Sequence, residues 1–312
     1  MKKSVIILAL LLLICHGADA APQVCYRDNS DSVIGSAITY TLKAGESLIE
    51  VARKFDLGYN EIAAANPGLD PFVPGEGNTA AIPTSWILPD VRTHEGIVIN
   101  LSELRLYFFY RIGPAKFIRT FPIGIGTEGN DTPTGQFAVI EKIVQPSWHV
   151  PESIKEEKPY LPDVVPPGPE NPLGSHAMRL SLPTILIHGT NKPWGVGRRV
   201  SHGCIRLYPE DIPVLFKAVS KGVKVTILAQ PVKAGLIGEN VYLEVHGEDA
   251  KSDSELISDA VSLLAKKRLL GRVDSKKLYN AIQEKSGMPV DISDNKEADH
   301  LNQLQWNRAR RQ

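Results

Sequence analysis

Apolar residues fall along this chain in three spacings, and each implies a different kind of element. Ser4 to Cys15 is an unbroken apolar run behind the positive start Met1-Lys2-Lys3. A helical spacing of three and four residues follows at Leu48, Val51, Ala52 and Phe55, and again at Leu256, Ala260, Leu263 and Leu264 and at Leu278, Tyr279 and Ile282. Between these lie short β-type runs: Gly96 to Leu101, Leu104 to Tyr110, Lys116 to Ile123, Pro183 to Ile187 and Lys224 to Leu228. The first run precedes Ala18-Asp19-Ala20, a small-x-small cleavage site, and reads as a secretory signal peptide cut after Ala20. It is too short to span a bilayer comfortably. Ile14, before Cys15, does not fit a lipoprotein site, and no later stretch reads as a transmembrane anchor.

Polar punctuation sets the boundaries. Ser47 is a helix N-cap, and Asn66-Pro67-Gly68 stops a second helix. Ala81 to Pro83 and Ile87 to Pro89 fit a closing strand and its exit. Ser102-Glu103 predicts a two-residue hairpin connection. Gly124-Ile125-Gly126-Thr127 carries a weak phosphate-loop signal with no helix behind it, so it and Thr132-Pro133-Thr134-Gly135 read as turns shaping a cleft. Residues 145–182 form a Pro-rich excursion, long enough to suggest a lid or wall. Pro209 opens a helix expected to run to Gly222. In the tail, 230–245 is strand-like, Ser252 with Glu255 forms a capping box, and Asp274-Ser275 starts a further helix ended by Ser286-Gly287. A helical hairpin packed on the central domain is expected there, or else a partner-binding arm, with a frayed basic end at 306–311.

Length and charge narrow the classes. The 312 residues suggest about two domains with room for a core that needs no disulfides. Lys and Arg equal Asp and Glu at 35 each, which argues against nucleic acid as a partner. Of the cysteines, Cys15 leaves with the signal, so Cys25 and Cys204 remain in a compartment that favours disulfides. Cys25 is then an idle thiol, an intermolecular bridge or a redox lock on Cys204.

The densest chemistry lies between His188 and Leu207. His188-Gly189-Thr190 stands at the end of a strand, and Ser201-His202-Gly203-Cys204-Ile205-Arg206 follows a Gly/Arg-rich loop. A thiolate is a strong nucleophile, and an imidazole can take the thiol proton. Gly203 permits a tight turn in which backbone N–H groups converge on an oxyanion. The residues alone leave two other readings open: a small buried hydrophobe at Cys204, or a zinc site on His188, His202 and Cys204.

This string resembles the L,D-transpeptidases, the YkuD-type cysteine enzymes of bacterial cell walls, from about Gly96 to Leu228. Trp148, Gly168 to Gly174 and the 230–245 strands resemble their Gram-negative branch. Ile38 to Pro89, with Tyr40 to Leu48, Val51 to Phe55 and Ile62 to Pro67, resembles a LysM module, a small βααβ carbohydrate binder, with a longer Gly/Pro-rich stretch at 70–79. The fold implied is a mainly β catalytic domain, a YkuD-type sandwich or barrel with few helices, plus the LysM module and a C-terminal helical segment. The expected division is signal peptide 1–20, extension 21–37, LysM 38–92, catalytic domain 95–228 and C-terminal extension 229–312.

The resemblance implies Cys204 as nucleophile and His188 as proton acceptor and donor. Gly189 or Thr190 would orient the imidazole. Ser201, His202 and Gly203 would support the oxyanion turn, and Trp148 would line the cleft. Arg206 would hold a substrate carboxylate or form an ion pair with Asp211. Neither metal nor organic cofactor is implied. The implied partners are peptidoglycan stem peptides, glycan strands and an outer-membrane lipoprotein as one acceptor, in the periplasm. Water as acceptor would make the enzyme a carboxypeptidase, and a decayed catalytic domain would leave a wall-binding protein.

Overall fold

The structure, a computed structural model, describes residues 23–25, 32–247 and 251–294. The expected signal peptide, the Cys25 side chain and the basic end at 306–311 lie outside the described residues.

The N-terminal part opens with β1 (Gln23–Cys25), β2 (Val33–Gly35) and β3 (Ile38–Thr41), followed by α1 (Leu48–Lys54), α2 (Tyr59–Ala65), β4 (Thr79–Ile82) and β5 (Ser85–Ile87). β3 and β4 pair antiparallel around the two helices. Ser47 caps α1 as its sequence requires: its hydroxyl accepts from Glu50 N at 3.2 Å, and Glu50 closes the box by accepting from Ser47 N at 3.0 Å. Asn66 ends α2 and ties it to β4, donating to Ile62 O and Ala81 O and accepting from Ala81 N. The chain expected to exit at Ile87 forms a second ladder instead, β5 against β2.

The central part contains β6 (Gly96–Asn100), β7 (Arg105–Ile112), β8 (Ala115–Pro122), β9 (Ile125–Gly126), β10 (Gly135–Val144), β11 (Trp148–His149), α3 (Glu152–Glu157), β12 (Val164–Val165), β13 (His176–Leu180), β14 (Leu186–His188), β15 (Arg199–Ser201), β16 (Ile205–Arg206), α4 (Asp211–Ala218) and β17 (Lys224–Leu228). One large sheet runs β1-β8-β7-β6-β17-β10-β13-β14-β16. The last strand, β17, enters the middle, parallel to β6 and antiparallel to β10.

The hairpin between β6 and β7 has a four-residue connection, Leu101–Leu104, where two were expected. The longer turn lets Glu103 fold under it, held by Asn100 Nδ2 at 2.8 Å, and Leu104 closes it with φ 55°. Helix α4 stops at Ala218, short of Gly222. Val219 is already extended, and Lys142 Nζ takes the carbonyls of Phe216 and Val219 at 2.6 Å each. Gly222, at φ +87°, serves the turn into β17 instead. The Pro-rich excursion is shorter than expected, because β13 within it belongs to the main sheet. Asn171 fastens the rest: its amide donates to Pro146 O, Val165 O and Pro166 O, and its oxygen accepts from Leu173 N.

Strands β6 to β8 are buried on both faces. Ile97, Ile99, Leu106, Phe108 and Phe121 face the central core with Met178, Ile187, Ile205 and Ile212. Val98, Tyr107, Phe109 and Ile118 share a second core with Leu48, Val51, Leu57, Ile62, Ile82 and Trp86 of the N-terminal part. Burial on both faces suits the apolar runs of β6 and β7, while β8 alternates in part as its sequence does. Arg105 crosses the seam, donating to both Glu61 oxygens (2.8 and 2.7 Å), to Asp56 O and to Thr120.

The C-terminal part is a hairpin, β18 (Val232–Ile237) and β19 (Asn240–Val245), then α5 (Asp253–Lys266), α6 (Ser275–Glu284) and β20 (Val290–Asp291). The capping box at Ser252 and Glu255 and the Asp274 cap form where expected. The helices do not lie on the central sheet. They cover the β18–β19–β20 sheet and close a core of their own with Val241, Leu243, Leu256, Leu264 and Ile282, because that sheet presents an apolar face next to them in sequence. Where the three parts meet, Lys233 Nζ is buried between Glu103 (2.5 Å) and Glu244 (2.7 Å).

Candidate active site

Parallel pairing of β14 with β16 builds the site. His188 stands beside Arg206 and Ile187 beside Ile205, and Cys204 immediately precedes β16, so the two sequence-predicted residues come from neighbouring strands. The turn between β15 and β16 depends on Gly203, whose φ is +95°. Ser201 braces it by donating its hydroxyl to Cys204 O at 2.6 Å. From outside, Thr132 Oγ1 donates to Gly203 O at 2.8 Å and accepts from Gly126 N at 3.0 Å.

His188 is 3% exposed. Its Nδ1 is 2.6 Å from Gly189 O. A carbonyl only accepts, so Nδ1 carries the hydrogen and Nε2 presents a lone pair. Burial, helped by the Arg206 charge, draws the imidazole pKa down to about 3, against the opposing pull of the Gly189 bond. Gly189 therefore orients the ring. The Thr190 hydroxyl, the other residue proposed for that task, accepts from Lys192 N instead.

The Cys204 thiol donates to Thr184 O at 3.6 Å. Burial pushes its pKa above the usual thiol value, against the opposing influences of a backbone hydrogen bond, Arg206 and Arg179. Thiol and imidazole are thus both neutral in this resting arrangement.

A cleft of about 410 Å³ lies between the 148–172 segment and the turn that carries Cys204; Trp148, Lys158, Tyr160, Lys192, His202 and Arg206 line it, and Cys204 and His188 themselves do not. Arg206 reaches it with Nε buried and unpartnered. The alternative ion pair of Arg206 with Asp211 does not form: the charges acting on Asp211 are those of Asp56, Glu210, Arg105 and Arg53, on the side facing α1. The three-ligand zinc reading also fails on geometry. His202 turns outward, its Nε2 3.3 Å from Glu157 of α3. Among the described residues, the group close enough to share an ion is Glu103, Glu244 and His246, and Lys233 already lies between its carboxylates.

Sequence reasoning missed Glu157, Thr184 and the pinning role of Thr132. Thr132 had a signal in the Thr-Pro-Thr-Gly turn. Glu157 and Thr184 had none, because each meets the site only through tertiary folding.

Residues 94–227 match the YkuD family, described as the L,D-transpeptidase catalytic domain. The chain is 39% identical over 262 residues to a probable L,D-transpeptidase, YcfS, of Escherichia coli, covering 80% of this chain and 81% of that protein. It is 36% identical to the probable L,D-transpeptidase YbiS of the same organism, covering 89% and 94%. This chain belongs to the L,D-transpeptidase family. A third relative in this family, the probable L,D-transpeptidase ErfK/SrfK of Salmonella typhimurium, is 34% identical over 91% of this chain and 94% of its own length. Because the alignments extend well beyond residues 94–227, this L,D-transpeptidase shares its flanking parts with relatives as well as its catalytic core. No helix among its described residues is long and apolar enough to cross a membrane.

Proposed function

We propose that this L,D-transpeptidase acts through Cys204 and His188 on peptidoglycan stem peptides. The observation that carries the reading is the His188 tautomer: Nδ1–H is fixed on Gly189 O, leaving the Nε2 lone pair as a base on the strand next to the one that Cys204 precedes. Cys204 Sγ attacks the carbonyl between the third residue of the donor stem, diaminopimelate, and the D-alanine that follows. The thiol proton passes to His188 Nε2. The oxyanion is met by backbone N–H groups of the Gly203 turn. The C–N bond breaks, His188 returns the proton to the departing D-alanine amine, and a thioester remains. An acceptor amine then attacks the thioester, His188 takes a proton from it, and the thiol is regenerated. The acceptor is a second stem peptide or a lysine of an outer-membrane lipoprotein, in the periplasm.

With the imidazole held neutral and burial raising the thiol pKa, His188 would take the proton as Cys204 attacks. Arg206 lines the cleft and holds a donor carboxylate through its guanidinium, and Trp148 forms part of the wall. Glu157 of α3 meets His202 at the rim, which supports a covering role for the excursion.

Intact-mass measurement with a disaccharide-tetrapeptide tests the chemistry. A thioester adduct with D-alanine release is expected in the native protein and absent in Cys204→Ala. Turnover retained by Cys204→Ala overturns the assignment. The βααβ order of residues 38–82 supports a LysM module that binds wall glycan. Full-length Cys204→Ala should be retained on purified sacculi and displaced by glycan fragments lacking stem peptides. Failure to bind rejects that role.

A further inference from the structure

The loop joining His188 to Cys204 rests on the N-terminal part of the chain. A helix begins with N–H groups that have no partner in their own turn. In α2 the first two find theirs on this loop: Tyr59 N donates to Val196 O at 3.4 Å and Asn60 N to Gly197 O at 3.2 Å. The Arg198 guanidinium lies 3.6 Å from the centre of the Tyr59 ring. Gly58 and Gly197 touch backbone to backbone. A Cβ on Gly58 would come within 2.5 Å of Gly197 Cα, and one on Gly197 within 2.2 Å of Tyr59 N. Helix α2 is itself fixed, since Glu61 closes its first turn on Gly58 N (2.7 Å) while binding buried Arg105.

The contact continues into the chemistry. Gly197 N donates to Ile123 O, Arg198 O accepts from Ile125 N, and Ser201 O accepts from Thr127 N. Ser201 then braces Cys204. On the other side, Gly195 lies against Arg206, where a Cβ would meet the guanidinium at 3.0 Å. We propose that the first turn of α2 is a positioning element of the catalytic centre, holding Val196–Arg198 so that Arg206 and the Cys204 turn keep their places. The proposal rests on the reading of Cys204 as nucleophile. It makes the expected wall-binding part and the active site one mechanical unit, so an L,D-transpeptidase of this build places its nucleophile at a fixed position relative to whatever the N-terminal part holds.

Gly58→Ala is the test. Gly58 has φ −86° and ψ 162°, which any residue adopts, so the added methyl acts chiefly by displacing Gly197. Donor acylation at saturation should fall about tenfold or more, as displacements near 1 Å in an active site do. The thermal midpoint should fall by no more than about 12 °C, the range of an overpacking cost of about 1–3 kcal/mol, leaving the protein folded at the assay temperature. Gly68→Ala, exposed in the same part with nothing within 4 Å, should leave the rate unchanged. Tyr59→Leu should lower the rate and Tyr59→Phe, which keeps the ring, restore it. Alkylation of Cys204 by iodoacetamide, followed in the same proteins, reads thiol placement without any donor and should change in Gly58→Ala. Wild-type acylation and alkylation in Gly58→Ala would overturn the proposal, as would a loss matched by the fraction unfolded. Absence of donor turnover in wild type would instead count against the nucleophile reading, while alkylation still decides the positioning.

Discussion

Two buried polar clusters in this molecule are built in opposite ways. Around Lys233 every charge is answered. Its ammonium meets Glu103, Glu244 and Ile87 O, Tyr107 donates to Glu103 at 2.7 Å, Asn100 donates to Glu103, and Ile87 N donates to Glu244. Burial pushes both carboxyls up; at Glu244 the charges of Lys233 and His246 outweigh it and the net shift is downward, whereas at Glu103 burial, with the neighbouring Glu244 charge, prevails and the net shift is upward. Around Cys204 the groups are left incomplete: Arg206 Nε has no partner, the imidazole is held neutral, and the thiol's side-chain bond to Thr184 O is long, with a backbone hydrogen bond from Leu186 beside it. A satisfied cluster holds parts of the chain together, whereas an unsatisfied one is poised to receive a substrate. Changes in the first should alter stability and spare chemistry, and changes in the second should chiefly alter chemistry, with stability following only through pH.

The largest effect expected in the second cluster after loss of Cys204 is that of His188→Gln. Removing the base should slow acylation by about 10²- to 10⁴-fold. Folding should respond in an unusual direction. Folded His188 stays neutral down to a pH of about 3, whereas an unfolded imidazole titrates near 6.5. The unfolded state therefore binds the extra proton, and stability falls as pH drops from 6.5 toward 3, by about 1.4 kcal/mol per unit. Denaturant melts at pH 7 and pH 5 should show this acid penalty in wild type and its loss in His188→Gln. An equal pH slope in both would break the contrast.

Lys233→Met reverses the pattern. It strands two buried carboxylates, and breaking a buried ion pair costs about 3–5 kcal/mol. Denaturant unfolding should show that loss, while D-alanine release per folded molecule stays near wild type. A catalytic defect in the folded fraction would mean that the two clusters are not independent.

The two clusters were also unequally legible. Ser201 to Arg206 lie together in sequence, and the strand before His188 is written in a continuous apolar run, so the chemistry could be read locally. Helix caps at Ser47 and Ser252 were legible for the same reason: each needs only residues within one turn. Glu103, Lys233, Glu244 and His246 come from a hairpin turn and a distant ladder, and no local pattern distinguishes them from solvated charges. The second core behind β6 to β8 was hidden likewise, because Val98 and Tyr107 declare burial but not the partner that covers them. Arg206 could be read as a cleft residue or as a partner of Asp211, and only the fold separates the two by turning Asp211 toward Asp56 and Glu210.

A smaller effect concerns the thiol. Its pKa lies above the ordinary value because burial outweighs Arg206, so thiolate appears only in alkaline solution. The rate of Cys204 alkylation by iodoacetamide should rise with a midpoint above that of a free cysteine. A midpoint below pH 7 would reveal a preformed thiolate–imidazolium pair and make the second cluster as complete as the first.

The smallest change expected is Tyr107→Phe. Its hydroxyl donates to Glu103 Oε2 and lies 3.3 Å from Lys233 Nζ. A bond to a charged acceptor is worth about 1.5–3 kcal/mol, and leaving a buried acceptor bare costs more. Glu103 is not left bare here, because Lys233 stays on the same oxygen and Asn100 on the other. The ring also keeps its place in the apolar core shared with the N-terminal part. The loss should therefore fall near the lower bound, about 1.5 kcal/mol in denaturant unfolding, with acylation unchanged. A loss as large as that of Lys233→Met would show that the hydroxyl, rather than the ammonium, sets the charge state of Glu103, and the closed cluster would then depend on a neutral donor at its centre.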